Sequence, residues 1–293
     1  MKVEEQLLPS PELKPLYERI TWLYVYRDFS GSESDRAAER IELRFGVTSY
    51  PQMMLVDPSN WEVLGHTGRT VDSFERAVAR ASVGPPSAQA IPRYRQAERL
   101  AVALERDPSR AEQSLTHQDP VVRMRALQAL AGKNPRAIVE RAEKLLAIPH
   151  DPFRFEVLRV LEKHGDGLQA RALEKLLAHP EPSLNPNALR IQTARALGRC
   201  GDARSVEALA GYTRGSPQNT LTSTSVEALA AIAERHPATV RAVTRILAEA
   251  YPAPGNRDLA RRVHQALETV TGRTVPFPEP YDEAARQRLM RSW

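Results

Sequence analysis

Beyond about residue 92, the apolar residues of the chain recur at helical spacing, and the pattern itself repeats about once every 35 residues. The clearest mark of the repeat is a leucine-like position that closes a predicted first helix. Its five copies follow one another at intervals of 31 to 36 residues: Leu130, Leu161, Leu197, Ile232 and Leu267. We expect these five side chains to lie in one continuous core.

A helix-breaking pair follows each of the first four anchor positions. The pairs are Asn134-Pro135, Gly165-Asp166, Gly201-Asp202 and His236-Pro237. Each can end one helix and cap the next, so a second helix is predicted in every repeat. Fifteen residues past the anchor, the second helices offer the apolar residues Leu145, Leu176, Tyr212 and Leu247. The sequence therefore predicts stacked helix pairs that share their core between neighbours.

This pattern resembles the HEAT-like repeats of the PBS-lyase type. The best match is the run from Ala194 to Leu209, with its Ala-Leu-Gly sequence, Gly-Asp turn and second-helix leucine. The resemblance covers about residues 119–272 and implies a helical solenoid that binds partners; a bilin-lyase role is suggested only by family association. Residues 273–293 are similar to the tail that follows bacterial HEAT-like arrays, with Phe277 and Trp293 expected to cap the last repeat.

Residues 1–83 have a different pattern, which predicts a small α/β domain. Aromatic and β-branched residues indicate strands at Thr21–Asp28, Gln52–Asp57 and Glu62–His66. Helices are predicted at Ser34–Phe45 and after a Thr70 N-cap. Residues 84–118 start with several prolines and are predicted to be a linker and a leading helix. The predicted fold class is therefore mainly α: a helical solenoid preceded by a small α/β domain.

The turn Ser49-Tyr50-Pro51, between an amphipathic helix and an apolar strand, resembles the cis-proline turn of thioredoxin-like domains. That family docks extended peptides there, so Ser49, Tyr50 and Pro51 are candidate peptide-binding residues. The family's Cys-x-x-Cys is missing, because Cys200 is the only cysteine. The best alignment begins just downstream of that motif, and Met1 is then an internal methionine of a longer protein. A thiol–disulfide protein with cysteines upstream remains an alternative function.

No residue pattern points to catalysis, a metal or a cofactor. The seven histidines lack ligand spacing, and neither a nucleophile elbow nor a phosphate-binding glycine loop occurs. Cys200 is predicted to be a core residue. No apolar stretch approaches the roughly 20 residues that span a bilayer, and no export signal follows Met1. The sequence does not decide the cellular compartment. The cytoplasm is the default, and export is expected if the natural start lies upstream.

The net charge of +5 comes from the chain beyond residue 83. Six cations occupy near-equivalent positions of the second helices: Arg141, Lys144, Arg171, Lys175, Arg241 and Arg245. They predict a basic stripe that binds an acidic protein or phosphate groups. Glu207 occupies the equivalent position in the third repeat and interrupts the stripe. Nucleic-acid binding is a weaker alternative, because Trp22, Trp61 and Trp293 lie outside the repeats. The predicted function is a non-catalytic protein-interaction scaffold. The sequence does not predict its oligomeric state.

Overall fold

The computed structural model describes residues 10–16, 23, 25, 30–47, 52–57, 63–67, 70–80, 96–97, 99–104, 108–183, 185–214 and 220–293. The chain divides into two compact units, Met1–Ala126 and Leu127–Trp293. That division differs from the predicted boundaries at residues 83, 118 and 272, which stay predictions.

The first unit contains a small α/β region. Its described elements are a 3-10 helix at Pro11–Leu16, α1 at Glu33–Phe45, β1 at Met53–Val56, β2 at Val63–Thr67 and α2 at Val71–Arg80. The two strands pair antiparallel, with Met53 opposite Thr67 and Leu55 opposite Gly65. Leu13 and Phe74 are buried at the centre of a cluster that also contains Met53, Leu55, Val71 and Val78. The 3-10 helix and α2 thereby cover one face of the hairpin.

Both helices of this region begin where the sequence predicts. Ser32 caps α1 by accepting a hydrogen bond from the backbone N–H of Asp35 at 3.1 Å, and α1 ends at Gly46, whose φ of 69° suits glycine. The Thr70 hydroxyl accepts from the backbone N–H of Ser73 at 3.3 Å, which confirms the predicted N-cap of α2. Local capping chemistry is therefore enough to place these two helices.

The strand predicted at Thr21–Asp28 is described only at Leu23 and Val25. Neither residue belongs to a strand, and Leu23 is 68% exposed, so the expectation of a buried strand is wrong at these two positions. Strand propensity reflects how a side chain packs on its neighbours, and the sequence of a segment does not supply those neighbours. The strands predicted at Gln52–Asp57 and Glu62–His66 are confirmed as β1 and β2.

The rest of the described chain is built from helices. They are α3 at Ala111–Ser114, α4 at Pro120–Lys133, α5 at Pro135–Val139, α6 at Ala142–Leu146, α7 at Asp151–His164, α8 at Ala170–Ala178, α9 at Pro186–Cys200, α10 at Ser205–Ala210, α11 at Thr220–Arg235, α12 at Val240–Glu249, α13 at Arg257–Thr271 and α14 at Glu283–Ser292. Residues 96–97 and 99–104 are also helical. Short 3-10 helices at Gly167–Gln169 and Pro237–Thr239 precede α8 and α12.

Within the first unit, α1 is joined to the start of α4 by two ion pairs. Arg44 lies 2.6 Å from Asp119, and Arg125 lies 3.1 Å from Glu39. The other carboxylate oxygen of Asp119 accepts from the backbone N–H of Val121 at 2.9 Å, so one side chain both caps α4 and holds α1. These side chains are mostly shielded from water, which makes the pairs stronger than exposed ones.

The anchor positions lie in the core, as predicted. Leu161, Leu197, Ile232 and Leu267 are fully buried, and Leu130 is 6% exposed. In the second helices, Leu145, Leu176 and Leu247 are also buried. The mainly α fold, a helical solenoid preceded by a small α/β region, is therefore confirmed.

Hydrogen bonds join each repeat to the next at about one repeat length along the sequence. Gln169 donates to the carbonyl of Val139, and the Ser205 hydroxyl donates to Glu174 at 2.7 Å. Tyr212 is half-buried, and its hydroxyl donates to the carbonyl of Leu177 at 3.2 Å. Such nearest-neighbour bonding is the organisation of a repeat array, in which no repeat buries its polar and apolar groups alone.

Candidate interaction surface

The six predicted cations all lie on or beside second helices. Arg141 precedes α6, which carries Lys144; Arg171 and Lys175 are on α8; Arg241 and Arg245 are on α12. Helix α6 contacts α8, and α8 contacts α10, so the second helices of the first three repeats form a row. The exposed Glu207 of α10 interrupts the charge, as the sequence predicts.

The cations of the first two repeats are engaged to different degrees. Arg141 donates to the carbonyl of Ala137 at 3.1 Å. Arg171 forms an exposed ion pair with Glu174 at 2.9 Å, one turn along the same helix. Lys144 and Lys175 are exposed to solvent. Arg141 and Arg171 therefore already have partners within their own repeats.

The two cations of the fourth repeat, Arg241 and Arg245, line a cleft, which distinguishes them from the others. The cleft has a volume of about 590 Å³ and is lined by Arg241, Thr244, Arg245, Ala248, Glu249, Thr271, Met290 and Trp293. Helix α12 supplies the first five of these residues, and α14 with the residue after it supplies the last two. A volume of this size is typical of ligand-binding clefts.

The electrostatics of the cleft depend on its two arginines, Arg241 and Arg245. Neither Arg241 nor Arg245 forms an ion pair with any residue in the described part of the chain. The one acidic side chain in the lining, Glu249, is paired with Arg214. The lining side chains therefore include two cations and one carboxylate that is already paired, so they present a net positive charge to a ligand.

Trp293 is held in place by a chain of buried and partly buried hydrogen bonds. Its indole N–H donates to the Tyr251 hydroxyl at 3.0 Å, which lies 2.7 Å from Nδ1 of His264. The other ring nitrogen of His264 lies 2.5 Å from the carbonyl of Val275. Because a carbonyl can only accept, Nε2 of a neutral His264 carries the proton and Nδ1 accepts from Tyr251.

The same network orders the C-terminal segment. Burial raises the pKa of Tyr251, so its hydroxyl remains a donor. The rings of Phe277 and Trp293 both contact His264 edge-on, with centroids 5.3 and 5.4 Å away. The guanidinium of Arg273 lies 5.7 Å from the centroid of the Trp293 ring. Trp293 therefore forms an aromatic wall of the cleft that is held by several contacts, whereas the capping role of Phe277 and Trp293 stays a prediction.

The other predicted site, Ser49, Tyr50 and Pro51, lies outside the described residues, so it stays a prediction. The residues on its C-terminal side follow the expected order, with β1 and β2 forming a hairpin before α2. The resemblance to thioredoxin-like domains is likewise still a prediction.

Cys200 is a core residue, as predicted. It is fully buried, and its sulfur lies 3.6 Å from the carbonyl of Leu161. Burial raises the pKa of the Cys200 thiol to about 12. A thiol that stays protonated is a poor nucleophile.

We therefore expect Cys200 to resist labelling by a disulfide reagent such as DTNB in the native protein and to react once the chain unfolds. The unfolded thiol ionises near 9.0 and the folded thiol near 12. The corresponding stability is thus fully present below pH 9.0 and is lost as the pH rises towards 12. Cys200→Ala is the control, because it should lack this alkaline loss. Rapid labelling of the native protein would contradict the buried assignment.

The described part of the chain contains neither a candidate metal cluster nor a candidate membrane-spanning helix. The described histidine, cysteine, aspartate and glutamate side chains form no group of three or more that could hold a metal ion. Among the described helices, none combines the length and the apolar character needed to cross a membrane.

Comparison with known proteins supports the class of protein that this geometry defines. A family model described as HEAT repeats matches residues 108–185. Together with the helical structure, the match supports a HEAT-like repeat protein, and HEAT repeats commonly mediate protein interactions. The search of the curated proteins found no match to the chain.

The sequence predicted two residues of the cleft and missed the rest. Arg241 and Arg245 were found from their repeat positions, whereas Trp293 was interpreted only as a capping residue. Met290 and Trp293 are three positions apart at the end of α14, a spacing that places them on one helical face. That spacing was the available signal, but it does not show which helix they meet.

Proposed function

We propose that this protein is a non-catalytic scaffold whose second helices bind an acidic protein partner. The observation that carries the proposal is the recurrence of cations at near-equivalent positions of the first, second and fourth repeats, ending in a cleft with two arginines that form no ion pair within the described part of the chain. An array of helix pairs presents a long surface that a partner can contact at several points. Charge complementarity along such a surface provides steering and register.

The packing of the repeats also supports a binding role. The anchors and most second-helix leucines are buried, and the polar groups between repeats are bonded to one another. What remains for a partner is the outward face of the second helices, where Lys144, Lys175 and Arg245 are exposed. These side chains can accept a partner without rearrangement of the core.

The test combines Arg171→Glu with Arg241→Glu in the full chain. Poly-L-glutamate on a biosensor surface serves as the model acidic polypeptide. We expect the double variant to bind roughly tenfold more weakly than the unmodified chain, and we expect the difference to shrink at high salt.

The matched control reverses two exposed arginines of first helices, Arg159 on α7 and Arg195 on α9, to glutamate. The net charge changes by the same amount, but the second helices are untouched. Binding close to that of the unmodified chain is expected. Equal losses in both double variants would show that total charge alone governs binding, and the proposed surface would then be wrong.

A further inference from the structure

The cleft beside the second helix of the fourth repeat combines charge and apolar surface in a way that the rest of the predicted stripe does not. Arg241 and Arg245 are one helical turn apart, so their guanidinium groups project from the same side of α12. Carboxylates suit this pair, because an arginine fork binds both oxygens of a carboxylate at once. A ligand of the cleft must therefore be acidic.

The opposite wall of the cleft is apolar. It is formed by Met290 and Trp293, and Ala248 on α12 leaves room between the walls. Met290 and Trp293 are each half-buried, so they still expose apolar surface to water. Covering that surface with an apolar side chain is favourable in proportion to the area removed from water. The ligand must therefore carry an apolar group beside its acidic groups.

The aromatic wall is organised before any ligand arrives. Trp293 is bonded to Tyr251 and packed against His264, so binding does not have to order it. Preorganised aromatic residues bordering a pocket are typical centres of protein recognition. A volume of about 590 Å³ has room for an apolar side chain with its neighbours, but not for a folded domain.

We propose that this cleft, lined by Arg241, Arg245, Met290 and Trp293, binds a short segment of a protein partner in which an apolar residue is flanked by acidic residues. The apolar side chain lies against Met290 and Trp293, and the flanking carboxylates pair with the two arginines. The proposal rests on the proposed scaffold function and names the chemistry of the partner.

A peptide fits this cleft better than a nucleic acid. Nucleic-acid binding needs a track of cations that follows successive phosphates. Here two arginines face an apolar wall, and the carboxylate of Glu249 lies in the lining next to them.

The experiment selects ligands without assuming a partner. Random eight-residue peptides displayed on phage are panned against the full chain, and the enriched sequence is synthesised with a fluorescein label for anisotropy. We expect enriched peptides to carry a large apolar residue with acidic residues on both sides. Replacing the apolar residue by alanine should weaken binding roughly tenfold.

Variants then locate the peptide. Arg241→Glu with Arg245→Glu should weaken binding roughly 30-fold, because two charge-assisted contacts become repulsive. Met290→Ala should weaken it roughly fivefold. The matched control is Arg171→Glu with Lys175→Glu, which makes the same charge change on α8 and should leave peptide affinity within about twofold. Unchanged melting temperatures show that each variant is folded.

Several results would overturn the proposal. These are no enrichment, enriched peptides without acidic residues, or equal losses in the two charge-reversed variants. Tighter binding of a short single-stranded DNA that depends on Arg241 and Arg245 would assign the cleft to nucleic acid instead. Failure of the poly-L-glutamate test with success of the peptide test would retain the cleft and reject the extended stripe, so the two proposals can fail separately.

Discussion

Replacing Arg154 by methionine is expected to lower the free energy of unfolding by about 3–5 kcal/mol, because it breaks a buried ionic cluster. Arg154 is 3% exposed. Its guanidinium donates to the carbonyl of Leu146 at 3.0 Å and to that of Pro182 at 2.7 Å, and it lies 3.8 Å from Asp151. Methionine fills similar space but leaves the Asp151 carboxylate buried without this cation. Chemical denaturation followed by circular dichroism measures the loss.

Asp151 makes the cluster a link between two repeats. Its carboxylate accepts from the Ser183 hydroxyl at 2.8 Å and from the backbone N–H of Asn185 at 3.2 Å, at the entrance to α9. Burial lowers the pKa of Arg154, and the Asp151 carboxylate opposes that shift. The two charges therefore stabilise each other, and removing one leaves the other unfavourable.

The control for this prediction is Arg159→Met on the same helix. Arg159 is 61% exposed and pairs with Glu156, so its loss should cost within about 0.5 kcal/mol. Adding Asp151→Asn to Arg154→Met should restore part of the stability, because the two residues are coupled. Equal losses at positions 154 and 159 would contradict the argument.

The helical half was predictable because its signal is periodic. Five anchors at similar intervals define a core without knowledge of any partner residue, and the turns after the first four locate the second helices. The Arg154 cluster was not predictable in the same way. Its partners Pro182 and Ser183 are about one repeat away, and an arginine within a charged helix is most often at the surface. Only the packed repeats show that this arginine is buried.

The N-terminal region shows a second limit of sequence reasoning. The hairpin of β1 and β2 and the cap at Thr70 depend on local chemistry, and they were predicted correctly. Leu23 lies in a segment with strong strand propensity, yet it is exposed and outside any strand. Its structure depends on neighbours that the sequence of the segment does not name.

The candidate site was predictable in its charges and not in its shape. Arg241 and Arg245 follow from the repeat pattern. The wall facing them depends on the path of the C-terminal segment, which the bonds from His264 to Val275 and from Trp293 to Tyr251 determine. Those bonds join residues whose types alone give no indication that they meet. Sequence periodicity therefore gives a charged face, and tertiary packing converts its last part into a cleft.

Gly201→Ala is expected to destabilise the protein by about 3 kcal/mol, because the turn after α9 has no room for a side chain. A β-carbon at this position would lie 2.5 Å from the carbonyl oxygen of Leu197 and 2.7 Å from Cδ1 of Ile232. Both neighbours are fully buried anchors. The φ of −67° is allowed for any residue, so the requirement for glycine comes from contact distance and not from backbone conformation.

The backbone at Gly201 cannot move away without losing hydrogen bonds. Its N–H donates to the carbonyl of Leu197 at 2.7 Å, and its own carbonyl accepts from Arg235 and lies 3.2 Å from Nε2 of His236 in the next repeat. Gly132→Ala on α4 is the matched control: it is exposed, its β-carbon would meet nothing within 4 Å, and alanine there should add up to about 1 kcal/mol of stability. Thermal and chemical denaturation of both variants give the comparison. If Gly201→Ala proved as stable as Gly132→Ala, the close approach of neighbouring repeats at this turn would be wrong.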